Sequence, residues 1–232
     1  MVALKNKLHL FFDLDDTLWD FEKNSALVLE QVYNVFGLRE KLNVDFETFL
    51  FRYKEINLAL WSKYYRREID KAYLRNHRFN ETFKFFGYDN YAENLEVTDI
   101  YLNQSPKGNL LKEGCLDTLT YLAGRYRLHI ITNGFKEVQH VKLEGSGIKH
   151  FFDQVIISEE HGLVKPDEKI FRLAENMAAT SREYCVMIGD SFESDISGAL
   201  NAGWEAIHLT QEKTEHFKGT AIRRLEELTA LF

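Results

Sequence analysis

The chain has 232 residues, 45% of them apolar and 28% charged, which is enough to bury a sizeable core and excludes disorder as a dominant state. Its 29 Lys and Arg against 36 Asp and Glu leave a net charge of −7, so it lacks the broad basic field of a nucleic-acid polymer binder, while small anions remain open as ligands. Cys115 and Cys185 are too few for a disulfide framework or a thiolate zinc site, and no apolar run approaches the roughly 18 residues of a membrane span.

The N-terminal apolar stretch is broken by Lys5, Lys7 and His9, unlike an export signal. A reduced, cytoplasmic protein is expected, as a monomer or small homo-oligomer. Leu8 to Phe12 is a nearly continuous apolar run that ends at Asp13, the pattern of a strand covered on both faces. From Leu18 to Pro106 no strand pattern occurs. Aromatic-rich segments of helical period, such as Leu27 to Phe36 and Phe46 to Leu60, fill a stretch too long for a loop. This predicts a helical insert over residues 18–106, inside a domain formed by residues 1–17 and 107–232.

Strand patterns resume at Leu128 to Ile131, ending in Thr132-Asn133-Gly134, and at Val155 to Ile157, ending in Ser158. Lys169 to Ala179 has helical spacing, with Ile170, Phe171 and Leu173 on one side and Met177 a turn further on. Cys185 to Ile188 then ends in Gly189-Asp190. After a polar stretch, Gln211 to Gly219, the tail Ala221 to Phe232 reads as one helix with Leu225, Leu228 and Leu231 on a face. Alternating strands and helices predict an α/β fold with a mostly parallel sheet, whose ligands bind at the carboxyl ends of the strands.

Those strand ends carry the chemistry. Asp13, Asp15 and Asp16 crowd directly behind a buried strand. If Asp13, Asp15 and Asp190 converge about 4 Å apart, each like-charged pair costs about 4 kcal/mol at an effective dielectric near 20. A cation or a raised pKa must then compensate. Oxygen ligands without histidine or cysteine favour a hard ion that also grips phosphate, hence magnesium. Taken alone, Asp13-Leu14-Asp15 is better explained as a solvated turn or a helix N-cap cluster. The other strand ends shift the balance. Thr132 offers a hydroxyl, Asn133-Gly134 backbone donors, Lys165 a compact positive charge, and Asp190 with Asp195 further acids. Each has an ordinary structural reading, but the four in this order match the needs of phosphoryl transfer.

With these residues the chain resembles the haloacid dehalogenase superfamily of phosphohydrolases. Its four motifs appear as Phe11-Phe12-Asp13-Leu14-Asp15-Asp16-Thr17, Ile130-Ile131-Thr132-Asn133-Gly134, Lys165-Pro166, and Ile188-Gly189-Asp190-Ser191 followed by Asp195. It is similar to the pyrimidine 5′-nucleotidase branch in the run Ile130 to Phe135, in Val155-Ile156-Ile157-Ser158-Glu159-Glu160 through Lys165-Pro166, and in Asn57-Leu58-Ala59-Leu60-Trp61. Many relatives carry glycine where Asp16 stands.

The resemblance implies a three-layer Rossmann-like parallel-sheet core with an inserted helical cap domain. It implies a magnesium-dependent phosphatase acting on small phosphomonoesters, most of all nucleoside 5′-monophosphates. Asp13 would be the nucleophile that forms an aspartyl-phosphate, and Asp15 the general acid and base. Mg2+ would be held by Asp13, the backbone carbonyl of Asp15 and Asp190, with Asp195 supporting them. Thr132 and Lys165 would steady the transferring oxygens, Asn133 and Gly134 would bind the phosphate, and Trp19 and Trp61 are candidates for stacking on a base. The aromatic residues of the insert also read as its own core, and Arg66-Arg67 as a solvated face. Asp15 separates the chain from dehalogenases that lack the second acid. A sugar-phosphate phosphatase, a phosphomutase and a non-catalytic metal-dependent binding protein are the competing expectations.

Overall fold

The computed structural model describes residues 8–212 and 219–232; the breaks at Lys5 and Lys7 and the 213–218 part of the polar stretch lie outside them. Among the described residues the strands are β1 (His9–Phe12), β2 (Arg127–Thr132), β3 (Phe152–Ile157), β4 (Cys185–Gly189), β5 (Glu205–Leu209) and β6 (Thr220–Ile222). The helices are α1 (Phe21–Val35), α2 (Leu38–Leu42), α3 (Phe46–Tyr65), α4 (Lys71–Phe85), α5 (Tyr91–Gln104), α6 (Cys115–Ala123), α7 (Lys136–Gly145), α8 (Ser158–His161), α9 (Glu168–Met177), α10 (Gly198–Asn201) and α11 (Leu228–Leu231). No helix among the described residues is long and apolar enough to cross a membrane.

The strands pair in parallel in the order β3-β2-β1-β4-β5-β6. This is the Rossmann order, and it reverses beside β1, so the ligand crevice lies at the carboxyl ends of β1 and β4. Phe12 stands opposite Ile130 on one side and Ile188 on the other. That register brings Asp13, Thr132 and Asp190 to one edge of the sheet although they are far apart in the chain. Side chains alternate along the strands. Leu10 and Phe12 pack with Ile130 and Ile188 on one face, and Phe11 packs with Ile131 and Met187 on the other. Both faces are dry, which is why the strands read as continuous apolar runs. Cys115 and Cys185 are buried free thiols, one in each of these two cores.

The α/β unit comprises Met1–Phe21 and Asn109–Phe232, and a second compact unit is Glu22–Gly108. The expected boundaries, 18 and 106, are therefore displaced by a few residues. The cause is a small stitch: the Asp20 N–H donates to Leu110 O at 3.0 Å, the Lys112 N–H donates to Leu18 O at 2.9 Å, and Trp19 pairs antiparallel with Leu111. Leu18 and Trp19 are buried in the sheet's core.

Within the second unit, Asp45, Asp70 and Asn90 cap α3, α4 and α5 by accepting from the N–H groups of Thr48, Tyr73 and Glu93, each satisfying a helix-end donor that would otherwise be unpaired. Phe49, Tyr53, Phe79, Phe83 and Tyr101 form its aromatic core. The helical period read in this stretch is thus explained by packing within the unit.

Two expectations need correction. The tail is not one helix: Thr220–Ile222 pairs with β5 as an edge strand, and α11 follows a short 3₁₀ turn, Leu225–Glu227. The open backbone edge of β5 outcompetes helix formation there, while Leu225 and Leu228 still reach the core. Lys169 to Ala179 is helical only to Met177, because Ala179 takes a left-handed backbone conformation, φ 49°.

His9 and His129 stack inside the sheet, with His9 Nδ1 and His129 Nε2 3.0 Å apart. Burial, reinforced by the imidazole of His9, pushes the pKa of His129 from 6.5 down to about 4. The unfolded chain therefore takes up this proton between those two values and the folded one does not, so the contribution of His129 to stability is complete above pH 6.5 and is lost as the pH falls toward 4. Urea unfolding at stepped pH is expected to show wild type losing stability faster than His129→Gln below pH 6.5, by at most about 1.4 kcal/mol per pH unit. Parallel pH dependences would show that His129 is not the group responsible.

Candidate active site

At the end of β1 the Asp13 N–H donates to Ile188 O at 2.9 Å, which carries the β1–β4 ladder one step further and fixes where its carboxylate emerges. Asp13 is buried, and its Oδ1 accepts from Lys165 Nζ at 2.6 Å. The same ammonium donates to Asp195 Oδ1 at 2.6 Å and to Ile131 O at 2.8 Å. Lys165 is 2% exposed and all three of its hydrogens are engaged. Burial alone would lower its pKa; the carboxylates of Asp13 and Asp195 outweigh that and hold it above the usual lysine value. What Lys165 offers the site is the compact positive charge expected of it, with its hydrogens engaged by Asp13, Asp195 and Ile131. Its charge acts from beside Asp13.

Asn133 explains how Lys165 is placed. Its Nδ2 donates to Lys165 O and its Oδ1 accepts from the Lys165 N–H, both at 2.9 Å. The Asn133 side chain is thus committed to the backbone of the buried lysine, and the phosphate donors expected of Asn133-Gly134 are their backbone N–H groups.

Asp195 sits on a π-helical turn, Phe192–Ser197, and is fully buried. Its Oδ2 accepts from the Ser191 N–H at 3.1 Å. Gly189 leaves the room for it: a Cβ there would lie 2.2 Å from Asp195 Oδ2. Asp190 is held by Thr17, whose hydroxyl donates to Asp190 Oδ1 at 2.9 Å and accepts from the Asp190 N–H at 3.1 Å. Burial and the carboxylate of Asp195 raise the Asp190 pKa to about 6, against the pull of the Thr17 hydroxyl. Burial is likewise the main cause that drives Asp13 well above the usual carboxylate range; Lys165 opposes it, while Asp195 and Asp190 add to it.

Asp13, Asp190 and Asp195 each offer a carboxylate oxygen within 4.8 Å of the others. Lys165 pairs with two of these acids, Asp13 and Asp195, while Asp190 is held by Thr17, so with all three ionised the cluster carries more negative than positive charge. An all-oxygen donor set of that kind fits a hard divalent cation.

The side chain of Asp15 is not part of this cluster, contrary to the three-acid convergence expected. Its Oδ1 accepts from Lys142 Nζ at 2.6 Å and its Oδ2 from Gln139 Nε2 at 3.0 Å. Gln139 Nε2 also donates to Thr132 Oγ1 at 2.6 Å. A Cβ on Gly134 would lie 2.3 Å from that nitrogen, so Gly134 makes room for Gln139. Asp16 takes a left-handed conformation, φ 58°, and its carboxylate pairs with Lys112 at 3.3 Å. Trp19 has no exposed surface, so its ring has no free face for a base; Lys142 Nζ lies 4.5 Å from the ring centre. Trp61 belongs to α3 in the other unit, beside Tyr64 and Tyr65.

Sequence reasoning assigned no role to Thr17, Gln139 or Lys142. The last two lie three apart on α7 and both are buried, a spacing that puts them on one helix face. Only the structure shows that the buried face is theirs.

The model of haloacid dehalogenase-like hydrolases matches residues 8–203. The chain belongs to that family. This haloacid dehalogenase-like hydrolase is 33% identical to the pyrimidine 5′-nucleotidase YjjG of Escherichia coli over 96% of both chains. It is 36% identical to the pyrimidine 5′-nucleotidase PynA of Streptococcus pneumoniae, over 89% of this chain and 85% of that one. The solved structure of the HAD-hydrolase YfnB from Bacillus subtilis, bound to magnesium, superposes with a TM-score of 0.81 at 29% identity and covers 97% of this chain and 98% of that one. The protein is an enzyme of the phosphoric monoester hydrolase class within this family.

Proposed function

We propose that this hydrolase releases phosphate from nucleoside 5′-monophosphates by way of an aspartyl-phosphate on Asp13. The observation that carries this reading is the buried ammonium of Lys165 bridging Asp13 and Asp195, with Asp190 alongside. It leaves one carboxylate, Asp13, held at the strand end where a phosphate would enter. The nucleotide class is supported by the relatives named above.

In the first half of the reaction an Asp13 oxygen forms a bond to phosphorus as the bond to the leaving oxygen breaks, and Asp15 gives that oxygen its proton. In the second, Asp15 takes a proton from water, the resulting hydroxide attacks phosphorus, and the Asp13–phosphorus bond breaks to release inorganic phosphate. Thr132, whose oxygen already accepts from Gln139, keeps its own hydrogen for a phosphoryl oxygen. Lys165 offsets negative charge beside Asp13 throughout. Magnesium held by Asp13, Asp190 and the backbone carbonyl of Asp15 would supply neutralisation of the phosphoryl charge, with Asp195 supporting the set through Lys165 and the Ser191 turn.

A substrate panel with magnesium or with chelator tests the reading. Phosphate release from nucleoside 5′-monophosphates, faster than from hexose phosphates and abolished by chelator, is the expected result. Preference for sugar phosphates would reassign the substrate, isomerisation without free phosphate would make the enzyme a mutase, and no turnover of any member would leave a binding protein.

A further inference from the structure

Lys142 and Gln139 stand outside the four motifs, yet both are buried on α7, at 4% and 0% exposure. An ammonium in such a place is costly unless it is paired. Its partners are the Asp15 carboxylate and the faces of Trp19 and Phe21, whose ring centres lie 4.5 and 5.4 Å from Nζ; aromatic faces attract a cation. Gln139 ties the other Asp15 oxygen to Thr132 through one nitrogen. Both oxygens of Asp15 therefore receive a donor at hydrogen-bond distance, which fixes the orientation of its carboxyl group.

We infer that Lys142 and Gln139 are positioning residues for proton transfer by Asp15, an inference that rests on the phosphatase reading above. When the Asp15 proton passes to the leaving oxygen, the negative charge left on the carboxylate is received by the Lys142 ammonium and the Gln139 amide, already at hydrogen-bond distance. When water is later deprotonated, the same two donors hold Asp15 in its accepting form. Because Gln139 also grips Thr132, the proton-transfer group and a phosphate-facing hydroxyl are set by one side chain. Trp19, expected to stack on a base, here forms part of the floor beneath Lys142.

The role has a signature that a merely structural one lacks. A leaving group that departs as a stable anion needs no proton, whereas a nucleoside alkoxide does. The ratio kcat/KM reports the steps through leaving-group departure and is blind to the later hydrolysis common to all substrates. For Lys142→Met, kcat/KM on a nucleoside 5′-monophosphate is expected to fall about 100-fold, and on p-nitrophenyl phosphate less than about 5-fold. For Gln139→Met the same pattern is expected at about 10-fold on the nucleotide, which keeps the test intact should the buried methionine at 142 impair folding. Asp15→Asn, measured alongside, sets the full size of the leaving-group effect. Equal losses on both substrates, or no loss, in Lys142→Met and Gln139→Met while Asp15→Asn discriminates would overturn the positioning role alone. Absence of discrimination in Asp15→Asn, or an inactive wild type, would overturn the phosphatase reading and the inference with it.

Discussion

Asp13→Asn is expected to lower magnesium-supported phosphate release at least about 10⁴-fold, the scale on which a lost nucleophile acts when the rest of a site is intact. The amide has nearly the shape of the acid but cannot form a stable acyl-phosphate, so binding survives and chemistry does not. Stability should move the other way. Burial and two neighbouring carboxylates make an ionised Asp13 expensive, and the substitution removes one of three crowded acids while Lys165 keeps its bond to Asp195. The melting temperature of Asp13→Asn without metal is therefore expected to equal or exceed that of wild type. Beryllium fluoride with magnesium should protect wild type against thermal unfolding and leave the variant unchanged. Protection of both, or activity within tenfold of wild type, would exclude Asp13 as nucleophile.

Lys165→Met should harm activity and stability together. The methionine fills most of the lysine's volume but leaves the Asp13 and Asp195 carboxylates facing each other, and the carbonyl of Ile131 without a donor. Breaking a buried pair by deleting one partner costs about 3–5 kcal/mol, which urea unfolding in chelator would read directly. Activity should fall by about 10³-fold, because a fixed positive charge beside the transferring group is lost. Magnesium should restore part of the stability, since it replaces positive charge among the same acids, and little of the rate. A loss below about 1 kcal/mol in chelator would show that the two carboxylates are not both ionised around Lys165.

How much of this the sequence disclosed follows from what kind of signal each part emits. β1, β2 and β4 are covered on both faces, so they announce themselves as unbroken apolar runs, and the polar residues that stop them are the residues of the site. β5 and β6 carry Glu205, His208 and Thr220 and lie toward the edge of the sheet, where half-polar composition is tolerated, so the sequence of Ala221 and Ile222 runs on without a break into the helical spacing of the tail. Spacing along the chain says nothing about which way a turn throws its side chains, so the partners of the Asp15 carboxylate, Lys142 and Gln139, are visible only in the structure. Lys142 is not legible in the sequence because a lysine on a helix ordinarily faces water, and its burial depends on Asp15 and Trp19, more than 120 residues away in the chain. Thr17 lay within a recognised motif, yet its work on Asp190 depends on the β1–β4 register. Trp19 lies outside the insert, in the core of the α/β unit, because the insert begins at Glu22 and not at Leu18.

That boundary has a further meaning. The two chain segments that lead into and out of Glu22–Gly108 are already hydrogen-bonded to each other within the α/β unit, at Leu18 with Lys112 and at Asp20 with Leu110. The sheet thus closes its own seam, and what hangs from it is an exchangeable cassette with an aromatic centre of its own. A different helical cassette, or a short hairpin turn, grafted onto this seam is expected to leave the bonds of Lys165 to Asp13 and Asp195 and of Thr17 to Asp190 in place, so the chemical engine and whatever the cassette contributes can diversify at separate rates.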